Sequence, residues 1–435
     1  MRNPTSLLLA ILVLACTTLT GCGGGGGGDN STATAAVPAT SASAAVPASS
    51  ASGIAGQTQP DTGQTPSSPT STTVAQSTTP NVQPISVAKI ATSTRNMLQT
   101  SVTLCVPGTG TCQTIDNIQV DTGSQGLRIL ASALSPALAL PAVSTSNGSA
   151  AAACTVFGSG YTWGSVRSAD IKLASEVAPA TSVQIISDPA IPPATSDCSA
   201  SGLPMLTATS LRGNGILGVG PFRADCGSNC ASTALPRWYY GCVNGSCTST
   251  TLAVAQQVTN PVSRFATDNN GVVIELPAVA DTGAASVAGT MTFGIGSQSN
   301  NALGSAQVLP SNTLNGFVTT MFQGQTYSTS FIDSGSNGLF FVSSSVPTCG
   351  LWFCPTSVQS FTATISGGGG ATSNVTFSVG SATSLFASGN NAFSNLAGLA
   401  ANYFDWGLPF FFGRRVFTAI EAQVTPAGNG PYYAF

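Results

Sequence analysis

Histidine is absent from all 435 residues of this chain. A Ser-His-Asp or Cys-His catalytic site is therefore excluded, and a conventional zinc site loses its commonest nitrogen ligand. Charge is scarce: Asp, Glu, Lys and Arg make up 6% of the residues and leave a net charge of −3, so there is no basic footprint for nucleic acid. After the N-terminus no apolar run is long enough to span a bilayer. What abounds instead is glycine (48), proline (26), serine and threonine. A surface of hydroxyls and amides suits an extracytoplasmic, β-rich protein better than a helical cytosolic one.

One stretch occurs twice. Asp121-Thr122-Gly123-Ser124-Gln125-Gly126-Leu127 is matched by Asp333-Ser334-Gly335-Ser336-Asn337-Gly338-Leu339, 212 residues later. Each copy follows a short apolar run (Ile118 and Val120; Phe331 and Ile332) and leads into another, so each Asp is expected where a strand breaks into a tight turn. A lone Asp-Ser/Thr-Gly is ordinary turn chemistry. Two extended copies point to an internally duplicated protein that contributes one Asp from each half. Carboxylates held about 3 Å apart cannot both ionise, so they share a proton and titrate as a unit. The ionised one takes a proton from water while the protonated one donates a hydrogen bond to a carbonyl oxygen. Glycine at the third position allows close backbone approach, and the hydroxyls of Ser124 and Ser336 are placed to hold the carboxylate planes.

Read in order, residues 1–22 form an export signal, with Arg2 at its positive start and Leu7 to Leu14 as its apolar core. Leu19-Thr20-Gly21-Cys22 resembles the lipobox of bacterial lipoproteins. By that resemblance Cys22 becomes a lipidated mature N-terminus, and Gly24 two residues on favours the outer membrane. Residues 23–84 are low in complexity, with six consecutive glycines and then Ala, Ser, Thr, Pro and Gln. This composition cannot form a core and reads as a disordered tether. The globular part follows, as short apolar runs punctuated by Gly, Ser, Asn and Pro. Strands are expected at Ser101 to Val106, Val183 to Ile186, Val272 to Leu276 and Thr290 to Phe293, and short helices at Leu252 to Val258 and Leu396 to Tyr403. Of the twelve cysteines, Cys16 leaves with the signal and Cys22 is lipidated. The remaining ten suit disulfides in an oxidising compartment. Cys105 and Cys112, Cys226 and Cys230, Cys242 and Cys247, and Cys349 and Cys354 are close in sequence; Cys154 and Cys198 remain for each other. None of these spacings suggests a metal site.

With these features in place, the chain resembles the bilobal, pepsin-like aspartic proteases. The two Asp motifs carry the resemblance first. Asn214 to Gly220 is similar to the apolar-apolar-Gly strand behind that family's first active-site loop, and Phe411-Phe412-Gly413, followed by Arg414 to Ile420, is similar to its counterpart in the second half. Phe157-Gly158-Ser159-Gly160-Tyr161-Thr162-Trp163-Gly164, starting 36 residues after Asp121, resembles the family's flap hairpin. Gly289-Thr290-Met291-Thr292-Phe293-Gly294 is similar to a strand early in its second lobe. Phe157 stands where the family has Tyr, Arg128 where Trp is common, and Gly126 and Gly338 where larger residues are usual. The chain also resembles a group of bacterial lipoproteins of unknown function.

The resemblance implies an all-β fold with few short helices, built as two lobes, residues 85–265 and 266–435, with a cleft between them. It implies Asp121 and Asp333 as a catalytic dyad supported by Thr122, Gly123, Ser124, Ser334, Gly335 and Ser336. Phe157, Gly158, Tyr161 and Trp163 would form the flap over substrate. The activity implied is hydrolysis of peptide bonds without cofactor or metal. The expected partners are a polypeptide substrate and, through the lipid anchor alone, a membrane; the chain is expected to be a monomer in the bacterial cell envelope, facing the periplasm or the cell surface. The rival expectation is a non-catalytic binding lipoprotein that holds a peptide or glycan in the cleft. A carboxylate-pair glycosidase has no use for the turn-borne Asp-x-Gly-Ser pattern. The anchor is directly testable. Cys22→Ser is expected to move the protein from the membrane to the soluble periplasmic fraction; a variant that stays with the membrane places the anchor elsewhere.

Overall fold

The computed structural model describes residues 79–435, which fall within one compact unit, Val74–Phe435. The segment expected to be an export signal, Cys16, Cys22 and most of the segment expected to be a tether lie outside the described residues. The fold is mainly strands with a few short helices. The first strand, Val82–Val87, begins inside the segment expected to be tether. Its residues alternate between half-buried and buried, the period-2 pattern of a strand with one face on a core. It pairs with Leu98–Cys105 on one side and with Val287–Phe293 on the other, so the N-terminal end of the described chain joins the two halves of the sequence.

Among the described residues, fifteen strands form one continuous sheet. Gly160–Leu173 pairs with both Glu176–Ile186 and Leu98–Cys105, which curls the first half towards a barrel. Beyond Val82–Val87 the sheet continues through Val287–Phe293, Gly271–Leu276, Arg414–Ala419 and Tyr432–Ala434. A second sheet of nine strands is built from residues 318–406. The first half packs mostly Ile, Leu and Val, whereas the second has an aromatic core. There Phe404 stacks on Trp406 at 4.4 Å and on Phe341 at 5.1 Å, and Trp406 Nε1 donates to Thr320 Oγ1 at 2.9 Å. Each such buried ring contributes about 2–3 kcal/mol of hydrophobic stabilisation, and the indole nitrogen keeps its hydrogen bond.

Both Asp turns sit in the same local topology. Cys112–Asp121 runs into the first turn and Gln125–Leu130 leaves it, but a third strand, Gly215–Val219, lies between them, parallel to one and antiparallel to the other. In the second half Gln325–Ile332 and Leu339–Phe341 flank the turn, and Phe404–Trp406 lies between them in the same two senses. The strand inserted behind the second turn is therefore Phe404–Trp406, with Gly407 following it, and not Phe411-Phe412-Gly413. Leu408–Phe411 instead forms a 3-10 turn leading to the Arg414–Ala419 strand.

The four expected strands are present. Of the expected helices, Leu252 to Val258 contains only a 3-10 turn at Val254–Gln256. Leu396 to Tyr403 is not helical: Ala397–Leu399 is a strand parallel to Leu339–Phe341, where sheet pairing outweighs a weak local helical preference.

All five expected disulfides are formed. Cys105 lies directly opposite Cys112, and Cys242 opposite Cys247, across antiparallel pairs with Cα separations of 4.0 and 4.1 Å. Cys154–Cys198 ties a hairpin strand to the Ser196–Ser199 helix and is buried beside Trp163 and Tyr240, whose rings meet edge-on at 5.0 Å. The chain-entropy model assigns about 4 kcal/mol to this loop of 44 residues and about 2 kcal/mol to each loop of 4 to 7. The Cys154→Ser/Cys198→Ser variant is therefore expected to lose the most stability in urea unfolding; equal losses for all five pairs would refute that ranking.

Candidate active site

Each Asp turn is built to hold its own carboxylate. The Gly123 N–H donates to Asp121 Oδ1 at 2.7 Å, and Ser124 Oγ donates to Asp121 Oδ2 at 2.5 Å. In the second turn the Gly335 N–H donates to Asp333 Oδ1 at 2.7 Å, and Ser336 Oγ to Asp333 Oδ2 at 2.8 Å. The two constellations match atom for atom.

The turns are clamped to each other. The Thr122 N–H donates to Ser334 Oγ at 3.1 Å, and the Ser334 N–H to Thr122 Oγ1 at 2.9 Å. Each hydroxyl then donates onward to a carbonyl of the opposite strand, Thr122 to Ile332 and Ser334 to Val120, both at 2.9 Å. Both side chains are fully buried. Gln119 adds a crossing bond, its Nε2 donating to the Gly335 carbonyl at 2.6 Å. The third-position glycines are required by contact. A Cβ on Gly123 would lie 2.8 Å from Asp333 Cγ, and one on Gly335 would lie 2.6 Å from Asp121 Oδ1. Each carboxyl thus rests over the glycine of the other turn, and the two are within hydrogen-bonding reach of each other.

The electrostatics follow from that packing. Burial, then the charge of Asp121, then a hydrogen bond to Asp121 push the Asp333 carboxyl well above the usual carboxylate range, against the opposing bonds from Ser336 and the Gly335 N–H. A pair so placed carries one proton between its members over a wide pH range. Tyr433, buried on the Tyr432–Ala434 strand, has its phenol pushed up by burial and by the charges of Asp333 and Asp121.

A third acid belongs to this neighbourhood and was missed in the sequence. Asp405 is only 4% exposed. Burial and then the charge of Asp333 push its carboxyl well above the usual range, while the Ser336 hydroxyl pulls the other way. The only sequence signal was the glycine that follows Trp406, hidden because an acid occupies an otherwise apolar position.

The flap expectation is corrected in part. Ala150–Phe157 and Gly160–Leu173 do form a hairpin, with Phe157 opposite Gly160 at its tip. Phe157 is half-buried against the cluster of Leu130, Ile186, Met205, Leu211 and Ile216, with the Arg128 guanidinium 5.9 Å from its ring centre. Gly158 faces open space. Tyr161 and Trp163 project from the opposite face, at positions across from Val156 and Cys154, and are buried around the Cys154–Cys198 disulfide. They are core residues rather than a covering surface. The hairpin is further held by backbone bonds from the Tyr161 N–H to the Leu203 carbonyl at 2.9 Å and from the Met205 N–H to the Tyr161 carbonyl at 2.8 Å.

Arg128 itself is buried. It donates to Asp225 at 3.0 Å, to Thr155 on the hairpin at 3.1 Å and to the Gln125 carbonyl at 2.6 Å. It thereby links the strand after the first Asp turn to the hairpin. Burial pushes the Asp225 carboxyl up to about 6 against the pull of Arg128 and the Tyr239 hydroxyl. Among the described residues no group of three or more Cys, Asp and Glu is placed to hold a metal ion.

Comparison with known proteins adds three findings. A family model described as "Protein of unknown function (DUF3443)" matches residues 77–435. No curated protein matches the chain. Among solved structures, the aspartic proteinase from Irpex lacteus is similar at 16% identity, over 81% of this chain and 96% of that one, with a TM-score of 0.45.

The clamp between the turns has a measurable energy. Thr122→Val removes the acceptor of the Ser334 N–H and the donor to the Ile332 carbonyl, both buried, at roughly 1–3 kcal/mol for each group left unsatisfied. Denaturant unfolding is expected to show a loss of at least about 2 kcal/mol, mostly restored in Thr122→Ser. A Thr122→Val protein as stable as wild type would mean that the turns are held together by something else.

Proposed function

The chain belongs to the DUF3443 family of unknown function, so its activity has to be read from its own residues, and we propose that it is an aspartic-type endopeptidase, exported and tethered to the outer membrane through Cys22. The observation that carries this reading is the matched pair of Asp turns, each carboxyl lying against the glycine of the other. Burial and the closeness of the two carboxyls keep one shared proton on the pair. The ionised carboxyl of the pair takes a proton from a water molecule whose oxygen bonds to the peptide carbonyl carbon. The protonated carboxyl donates its proton to the carbonyl oxygen, giving a neutral diol. Collapse of the diol breaks the C–N bond as a proton passes to the leaving nitrogen, leaving a carboxylic acid and an amine. Ser124 and Ser336 hold the carboxyl planes throughout, and low charge and exposed hydroxyls suit an extracytoplasmic site of action.

The active form carries one proton on the pair. Activity is therefore lost at low pH when a second proton is added and at high pH when the last one leaves, and both apparent values belong to the pair. Because Asp333 is pushed upward, the alkaline limb should lie above the ordinary Asp range. Asp121→Asn and Asp333→Asn are each expected to lower kcat roughly a thousandfold or more, with the double variant little worse. A mimic bearing a hydroxyl in place of the attacked carbonyl should bind wild type. The measurement is cleavage of an unfolded-protein substrate across the acid-to-neutral range. Cleavage that survives in both single variants refutes the assignment; no cleavage by any form, with no binding of the mimic, favours a binding protein.

A further inference from the structure

Most acids drawn into the fold have an evident partner. Asp225 is paired with Arg128 and Asp188 with Arg167, and Asp268 accepts from Ser297 and Gln298. Asp405 differs. It is buried, and its Oδ1 has no hydrogen-bond partner. An unpaired carboxylate in such a place is costly enough that the group is kept neutral instead.

The sheet register aims this acid at the dyad. Asp405 lies opposite Phe331 on the parallel neighbour and Phe340 on the antiparallel one. Its neighbours Phe404 and Trp406 turn into the aromatic core, so alternation turns Asp405 to the other face. Asp333 lies two residues beyond Phe331 and shares that face. Between them stands the Ser336 hydroxyl, which donates to Asp333 Oδ2 at 2.8 Å and also interacts with the Asp405 carboxyl. In the first half the equivalent position, opposite Gln119, is Ile216. The acid is therefore a feature of the second turn alone.

We propose that Asp405 is a positioning residue for the dyad: as a neutral acid it donates to Ser336 Oγ, which commits the single Ser336 proton to Asp333. This rests on the endopeptidase reading above. A serine hydroxyl has one proton to give. Were Asp405 ionised, its carboxylate would compete with the Asp333 carboxyl for that proton and the bond to Asp333 would weaken; with Asp405 protonated, the chain from Asp405 through Ser336 to Asp333 runs in one direction, each bond supporting the next. The groups acting on Asp405 are Asp333 and Asp121, and Tyr403 senses its charge in turn; among the described residues no cation acts on it.

The experiment combines steady-state kinetics with carboxyl ¹³C NMR titration of the full chain, for wild type, Asp405→Asn and Asp405→Ile, the last reproducing the residue of the first half. The Asn amide can still donate to Ser336, so kcat should stay within about threefold, while Ile should lower kcat about tenfold or more with KM unchanged. In the titration, Asp405 should remain protonated where surface carboxylates have ionised, and Asp405→Ile should shift the Asp333 transition while Asp405→Asn leaves it near its place. The proposal is overturned if Asp405→Ile matches wild type in kcat and in the Asp333 transition, or if Asp405 ionises together with the surface carboxylates. If wild type cleaves nothing, the endopeptidase reading fails by itself and the titration alone decides: a shift in Ile but not Asn upholds the relay, and no shift overturns it. Should Asp405→Ile fail to fold, Ser336→Ala replaces it; an unchanged Asp405 titration in that variant overturns the proposal.

Discussion

The reciprocal hydrogen bonds between Thr122 and Ser334 are the constraint on which the site depends. They join two turns 212 residues apart in sequence, and they do so with groups that have no other outlet, because both side chains are buried and an unmade bond there is expensive. Once the turns are clamped, each glycine has the other half's carboxyl against it. The proximity of two acids, which Coulomb repulsion would oppose, is thus imposed by backbone and hydroxyl bonds, and the repulsion is relieved by keeping a proton on the pair.

Around this near-symmetric centre the halves have diverged. The first half packs aliphatic side chains and uses Arg128, buried and bonded to Asp225 and Thr155, to connect the strand after its Asp turn with the hairpin. The second half packs rings around Phe404 and Trp406 and places Asp405 where the first half has Ile216. Two polar residues from different strands also reach the second turn. Gln119, on the strand entering the first turn, reaches across to the Gly335 carbonyl; Asp405, on the strand inserted behind the second turn, lies beside Ser336 of its own half.

Much of this could be read from the letters. The Asp turns were legible because their chemistry needs the same short pattern twice, and a carboxylate bonded by the N–H two residues on and the hydroxyl three residues on is a local arrangement. Four disulfides were legible because their cysteines lie 4 to 7 residues apart, and the fifth by elimination. The faces of the hairpin were not. Tyr161 and Trp163 stand on one side of a strand and Phe157 on the other side of its partner, and period-2 alternation alone does not say which side meets substrate. Phe411-Phe412-Gly413 had the right letters, yet Phe404–Trp406 took the place between the flanking strands.

By itself, then, the sequence determined what depends on a few neighbouring residues: the turns with their internal carboxylate bonds, the strand-rich class, the short disulfide loops, and the exclusion of histidine chemistry. Tertiary structure decided which distant groups meet. The contact between Asp121 and Asp333, the burial of Asp405 beside Ser336 and the retreat of Trp163 into a disulfide-lined core all depend on sheet register and closure. Those are set by the sum of many apolar contacts over the whole chain, so no local window contains them, and the proton affinities that follow from burial and charge proximity are decided with them.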